Sequence, residues 1–578
     1  MIPMVGEQRM RRRVACVMSG LVLAALATRA VAGADADADL ILRHAEIRTP
    51  DGWARALAVR RGVIVDVGSD AAVLKHSGAA TRVIDLHGAT VVPGLHDMHV
   101  HPMGAGMLHL QCTFPQGSAP QKILDTVAAC AKQRAKGEWI QGGQWDAASF
   151  GGQAVHRSLL DKVAPDNPVA LIDISVHAVW VNSLALKLAG VTAATPNPPG
   201  GIIERDANGE PTGVLRESAR ALIQTVVPPP TAEENAAALH WALTEMLSHG
   251  ITSFTDAGID ESGLQAYATL ADQGVLKQRV RGCMSWRPGG FSLQANTAAT
   301  IEHRNLYARD RFKPDCVKIV LDGVPTEGHT AAMVEPYADV ANVDDARARG
   351  LLMVPPAVLE AAVIAYDRDG LTVKFHAAGD AAVREGLDAI EAARKANGFS
   401  GPLHDVGHNS FVQESDIARA RAIGATFEMS PYIWYPNPII PDIRKAVGPE
   451  RMLRWIPVKD AIDAGALVVP GSDWAVVPSV NPWLAIETLV TRQQPGGGGE
   501  ALGERERITL DQAFDLFTVN AARQMGNANR TGRIEVGLLA DLLVLDRNPF
   551  RIPVTDVHNV VVQQTLINGE VVYERRGK

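Results

Sequence analysis

Eight apolar, strand-like runs separated by Ala- and Leu-rich helical stretches place the tightest constraint on how this chain folds. They are Val92 to His101, Val169 to Ser175, Ile251 to Asp256, Val317 to Asp322, Leu371 to His376, Leu403 to His408, Ala425 to Ser430 and Leu467 to Asp473. Strands alternating with helices predict a parallel α/β architecture, and eight such strands close a (β/α)8 TIM barrel. Six of the eight runs end in His or Asp. Barrel active sites lie at the C-terminal ends of the strands, so the residues that terminate these runs are the candidates for chemistry.

At 578 residues the chain exceeds the ~250 residues a plain barrel needs. Residues 33–92 read as short strands punctuated by Gly52, Gly62, Gly68 and Gly88, and the pattern resumes within 526–578. This predicts a small β-sandwich built from both ends of the chain around a barrel over 93–525. Long insertions are expected at 102–168 and 176–250, a size that usually carries function.

Residues 1–32 read as a signal peptide: Arg11, Arg12 and Arg13, then an apolar stretch from Val14 to Thr28, then Ala30-Val31-Ala32 as a small-residue cleavage site. The mature protein is therefore expected to be periplasmic or secreted, with no stable membrane insertion and with the export route open. Losing the leader leaves 51 basic against 63 acidic residues, a net charge of −12 rather than −8. That charge gives no reason to expect a nucleic-acid partner; a small-molecule substrate is expected instead. Four cysteines remain, Cys112, Cys130, Cys283 and Cys316, and none forms a Cys-x-x-Cys pair, so the search for metal ligands moves to the 17 histidines.

His99-Val100-His101 is the strongest local signal. Residues two apart in a strand share a face, so both imidazoles project from one strand end toward a common ion. His376 and His408 close the fifth and sixth runs and supply two further imidazoles. Asp473 closes the eighth, where a carboxylate can both bind an ion and accept a proton. Lys318 lies inside an apolar strand, costly to bury as a cation; addition of carbon dioxide would turn it into a carbamate able to bridge two ions. Lys374 shares the inward parity of His376 and competes for that role. Tyr432 and Trp434, set between prolines after the seventh run, suggest a stiff apolar wall for an acyl or aromatic group. Glu428 is a further polar candidate.

This set of residues resembles the amidohydrolase superfamily of metal-dependent hydrolases, and more narrowly amidohydrolase family 3, the branch with N-substituted formamide deformylases. Matching segments include Trp139 to Asp146, His177 to Ser183, Asp322-Gly323, His376 to Asp380, Gly471 to Trp474, and Thr531 to Gly537 followed by Ala540-Asp541-Leu542. The resemblance implies a barrel with a two-ended sandwich. It implies metal binding by His99, His101, His376, His408 and Asp473, with Lys318 as carboxylated bridge, and His177 and Trp180 near the substrate. Family members are often dimers or larger. The chain departs from the pattern in carrying Gly407 where Glu commonly precedes the sixth-strand His, and nearby His404 leaves that ligand open.

The expectation is an exported enzyme holding two divalent ions, Zn2+ by default with Mn2+ or Fe2+ also suited. It would cleave an amide, N-formyl or cyclic amide bond of an apolar or aromatic substrate with a metal-bridging hydroxide. Asp473 would take the proton and return it to the leaving amine. An esterase or lactonase would use the same site, and a non-catalytic periplasmic binding protein is the rival from another class.

Overall fold

A computed structural model describes residues 37–576 apart from Ser175, His177, Glu327 and the ranges 199–200, 287–296, 346–347 and 433–438. The leader expected at 1–32 lies outside the described residues, as do His177 and Trp434.

The chain folds around an eight-stranded parallel sheet, the (β/α)8 barrel. Its strands are β1 (Leu95–Val100), β2 (Ile251–Ile259), β3 (Arg279–Trp286), β4 (Phe312–Val320), β5 (Thr372–Ala377), β6 (Asp405–His408), β7 (Thr426–Met429) and β8 (Leu467–Pro470). The two ends of the sheet are stitched just past the strands: Asp473 N–H donates to the His99 carbonyl (2.7 Å) and His101 N–H to that of Trp474 (2.6 Å). The period-2 alternation of a strand explains what each presents. In β5, Val373, Phe375 and Ala377 join the apolar core, leaving Lys374 and His376 on the opposite face.

One strand assignment is corrected. Val169–Asp173 is not in the barrel; it pairs with Ile140–Trp145 and Ala178–Val181 in a separate six-stranded sheet. An apolar run of this length looks the same in either setting. The true third strand, Arg279–Trp286, escapes a hydrophobicity reading because Arg279 and Arg281 interrupt it. Both arginines are buried and partnered, Arg279 by Asp541 and Asn568, Arg281 by Gln524 (3.1 Å) and Asp315 (3.2 Å).

The six-stranded sheet is an insert between β1 and β2, not a pair of loops flanking a barrel strand. One of its faces packs Leu171, Trp180 and Trp145 with Ile123 and Leu160 from two helices, and a Cys112–Cys130 disulfide ties the first of these helices to the first strand. Helices α1 (Pro102–Leu110) and α2 (Ala232–Ser248) lead into and out of the insert and lie against each other. They approach closely at Gly106, where a Cβ would fall 1.9 Å from the Ala238 carbonyl oxygen.

Two further sheets, of four and six strands, share a core that includes Leu42, Leu57, Val91, Leu542 and Leu566. The ends of the chain meet in the second of them, where Thr90–Pro93 pairs antiparallel with Leu542–Leu545. Among the described residues no helix is long and apolar enough to cross a membrane.

Candidate metal centre

The strand ends converge as the barrel dictates. His99 and His101 leave the end of β1 on one side, and Asp473 follows β8 beside them, its Oδ1 3.3 Å from His101 Nε2 and 3.6 Å from His99 Nε2. Lys318 of β4 reaches the same point, with Nζ 3.2 Å from His99 Nε2. His408 at the end of β6 stands 3.1 Å, nitrogen to nitrogen, from His376 at the end of β5. Two groups of donors are close enough to share an ion: His99, His101 and Asp473, and His99, His408 and Glu428.

The sixth-strand ambiguity is resolved by the two ends of the barrel. His404 is fully buried before β6, accepting from the Val373 N–H (2.9 Å) and facing Asp367 (2.8 Å), so it is a structural histidine. His408, four residues on, is the one at the mouth.

The donor chemistry fits a divalent ion preferring N and O ligands. Burial holds the imidazoles of His99 and His408 well below the ordinary histidine value, which keeps them neutral with a lone pair to give. Burial pushes the Asp473 carboxyl up, but His408, His101 and Lys318 outweigh it and leave the group below its usual value, an anion. Burial, reinforced by Lys374, lowers Lys318 to about 7. Lys374 is different: its ammonium is fully buried, 2.7 Å from Asp405 and 3.6 Å from Glu428. The ion-paired lysine is thus Lys374, and the lysine facing the imidazoles is Lys318.

Glu428 is the residue the sequence undervalued. It is wholly buried, its Oε2 2.5 Å from His99 Nδ1 and its Oε1 accepting from Ser430 Oγ (2.9 Å), which in turn touches His408 Nδ1 (2.7 Å). The signal was present: a charge inside Phe427-Glu428-Met429 is too costly to bury without partners. Asp322 is another such residue, accepting the backbone N–H groups of Ala332, Ala378 and Gly379 (2.9–3.0 Å) and so tying the loop after β4 to the loop after β5 beside His376.

A cavity of about 800 Å³ opens above the centre, bounded by His101 and Val476 of the barrel, Met107 and Leu108 of α1, and Ile172 and Val179 of the insert. Two of the residues expected beside the substrate do not line it. Trp180 is fully buried in the core of the insert, against Trp145 and Phe150, because its strand neighbour Val179 takes the cavity face. Tyr432 is also buried, its hydroxyl toward the Val480 carbonyl (3.4 Å), and no aromatic side chain lines the cavity among the described residues.

Comparison with known proteins gives concordant results. A model of the amidohydrolase family matches residues 82–573. The N-substituted formamide deformylase of Arthrobacter pascens is 28% identical over 93% of this chain and 99% of its own length. The Arabidopsis thaliana protein LONG AFTER FAR-RED 3 is 30% identical, covering 93% of this chain and 92% of its own. A crystal structure of a metal-dependent hydrolase from Pyrococcus furiosus superposes with a TM-score of 0.70 at 23% identity, covering 89% of this chain and 100% of the other.

Proposed function

Because the chain belongs to the amidohydrolase family, we propose that this metal-dependent hydrolase of non-peptide carbon–nitrogen bonds cleaves an amide, N-formyl or cyclic amide bond of a small apolar or aromatic molecule. The observation that carries the reading is the convergence of His99, His101, His376, His408, Lys318 and Asp473 at the barrel mouth beneath a largely apolar cavity. These residues would hold two divalent ions, zinc by default. Bound there, such ions lower the pKa of water and polarise a carbonyl.

The protein's own groups supply the rest. Asp473, held ionised, accepts the proton of the attacking water and returns it to the leaving nitrogen as the tetrahedral adduct collapses. Glu428 fixes the orientation of His99. Lys318, lowered to about 7, is substantially free base at neutral pH. Its nitrogen can then attack carbon dioxide and lose a proton, placing a carbamate beside His99. Export is part of the proposal and is supported by the leader-like residues 1–32 and by two disulfides, Cys112–Cys130 and Cys283–Cys316, which persist in oxidising compartments.

Metal analysis together with a panel of anilides, formamides and matched esters tests the reading. Hydrolysis of amides that is lost in Asp473→Asn supports it. A metal content below about one ion per chain, or amide turnover undiminished in that variant, overturns it. Cleavage of esters or lactones alone would reassign the chemistry while keeping the centre. Restoring activity to Lys318→Ala with short carboxylic acids tests the carbamate.

A further inference from the structure

We propose that the Ile172–Val179 pair of the insert is the specificity wall of this enzyme, and that the cavity it closes takes a bulky uncharged group of the substrate. The inference rests on the amide-hydrolysis reading and names the substrate class for it.

Ile172 and Val179 are direct cross-strand partners in an antiparallel pair, so their side chains stand side by side on one face. That face is fixed by what lies behind it. Leu171 and Trp180, the adjacent residues, are fully buried in the opposite core, so no rotation of the strands can exchange the two sets. Both wall residues are β-branched and therefore stiff at χ1.

The wall is also held in place over the chemistry. Trp145 Nε1 donates to the Leu171 carbonyl (2.9 Å), locking neighbouring strands. Gln144, at the end of the same strand as Trp145, donates to the carbonyl of Ala475 (3.0 Å), two residues past Asp473. The insert sheet is thereby tied to the loop that carries the proton acceptor, with His101 on the floor between them.

The lining chemistry sets the class. A volume near 800 Å³ is in the range that encloses drug-sized ligands and far exceeds what a formyl group needs. The polar side chains at its edge include four glutamines, among them Gln141 and Gln144, and no Asp or Glu lines it among the described residues. The titratable groups in the lining are His101 and Arg220, the latter already engaged within the protein. A charged group entering would lose water against Ile172, Val179, Met107 and Leu108, whereas an apolar group loses none and a neutral amide can meet the glutamines.

The test is a series with one acyl group and varied amines: a small N-methyl amide, a bulky neutral N-aryl-alkyl amide, and that bulky amine carrying either an ammonium or a carboxylate. Wild type is expected to favour the bulky neutral member over both charged members by about tenfold or more in kcat/KM. In Ile172→Trp the bulky-to-small ratio should fall by about tenfold, mainly through KM, and Ile172→Ala should shift it the other way. Metal content and thermal unfolding confirm that each variant is folded. Calorimetric binding of the same compounds decides the proposal independently of turnover. A series that binds with these preferences but is not cleaved counts against the amide reading alone. An unchanged ratio in both variants, preference for a charged member, or no binding at all overturns the wall.

Discussion

The Nδ1 of His99 lies 2.5 Å from Oε2 of Glu428, a pairing that spans 329 positions of sequence and reaches from β7 past β8 to β1. The carboxylate fits only because two glycines flank it: a Cβ on Gly407 would fall 2.1 Å from Glu428 Oε2, and one on Gly471 2.3 Å from Oε1. The absence of the usual acidic residue before the sixth-strand histidine and the presence of Glu428 are thus two sides of one arrangement. With Nδ1–H donated to Glu428, the Nε2 lone pair of His99 is left to face Lys318 and Asp473.

Glu428→Gln should therefore weaken metal binding by about 10- to 100-fold while the barrel remains folded. Competition against a chelator of known affinity measures it, and unchanged affinity would show that His99 is oriented by other means.

Gly407→Ala should produce a comparable loss without touching any ligand, by forcing the carboxylate off His99. Combining it with Glu428→Asp, which withdraws the carboxylate by one methylene, should recover part of the affinity. Failure of the double variant to improve on the single one would assign the damage to the backbone at His408 instead.

Stability should fall on mild acidification. His96 is fully buried, its Nδ1 has no hydrogen-bond partner among the described residues, and burial with the nearby Arg279 charge lowers its pKa to about 3 from 6.5. Between those values the unfolded chain binds a proton that the folded one does not, so folding loses about 1.4 kcal/mol per pH unit below 6.5 from this residue. His404, also lowered by burial, acts in the same direction. Urea midpoints of chelated protein at pH 7.5 and 5.5 measure the slope, and His96→Phe should make it shallower.

Reduction should lower the unfolding midpoint. The Cys112–Cys130 bond, with a sequence separation of 18, restricts the unfolded chain by about 3 kcal/mol in loop-entropy terms, and Cys283–Cys316, with 33, by somewhat more. Cys130→Ser should loosen the insert and Cys283→Ser the β3–β4 pair. Thermal scans with and without reductant that coincide would contradict both.

The histidines and the aspartate at the barrel mouth were legible because each closes a strand, and strand ends in a parallel barrel gather at one face whatever the loops do. Even so, a strand-like run alone did not say which sheet it joins. Val169–Asp173 and a barrel strand have the same local pattern, while Arg279–Trp286 hides behind two arginines whose partners, Asp541 and Gln524, come from the far end of the chain. Cysteine spacing likewise excluded thiolate metal sites without revealing that Cys112, Cys130, Cys283 and Cys316 pair with one another.

By itself the sequence determined the barrel, the family and four of the residues at its mouth, His99, His101, His376 and Asp473, since those follow from alternation, strand count and the chemical types at strand ends. The tertiary structure alone decided which of two inward lysines meets the imidazoles, which of two histidines after β5 reaches the centre, and that Glu428 holds His99. It also turned Trp180 away from the cavity and set Val179 toward it. The reason is physical: period and composition fix what a strand offers on each face. Burial, countercharge and the room left by a glycine fix which offer is taken, and those belong to neighbours hundreds of residues away.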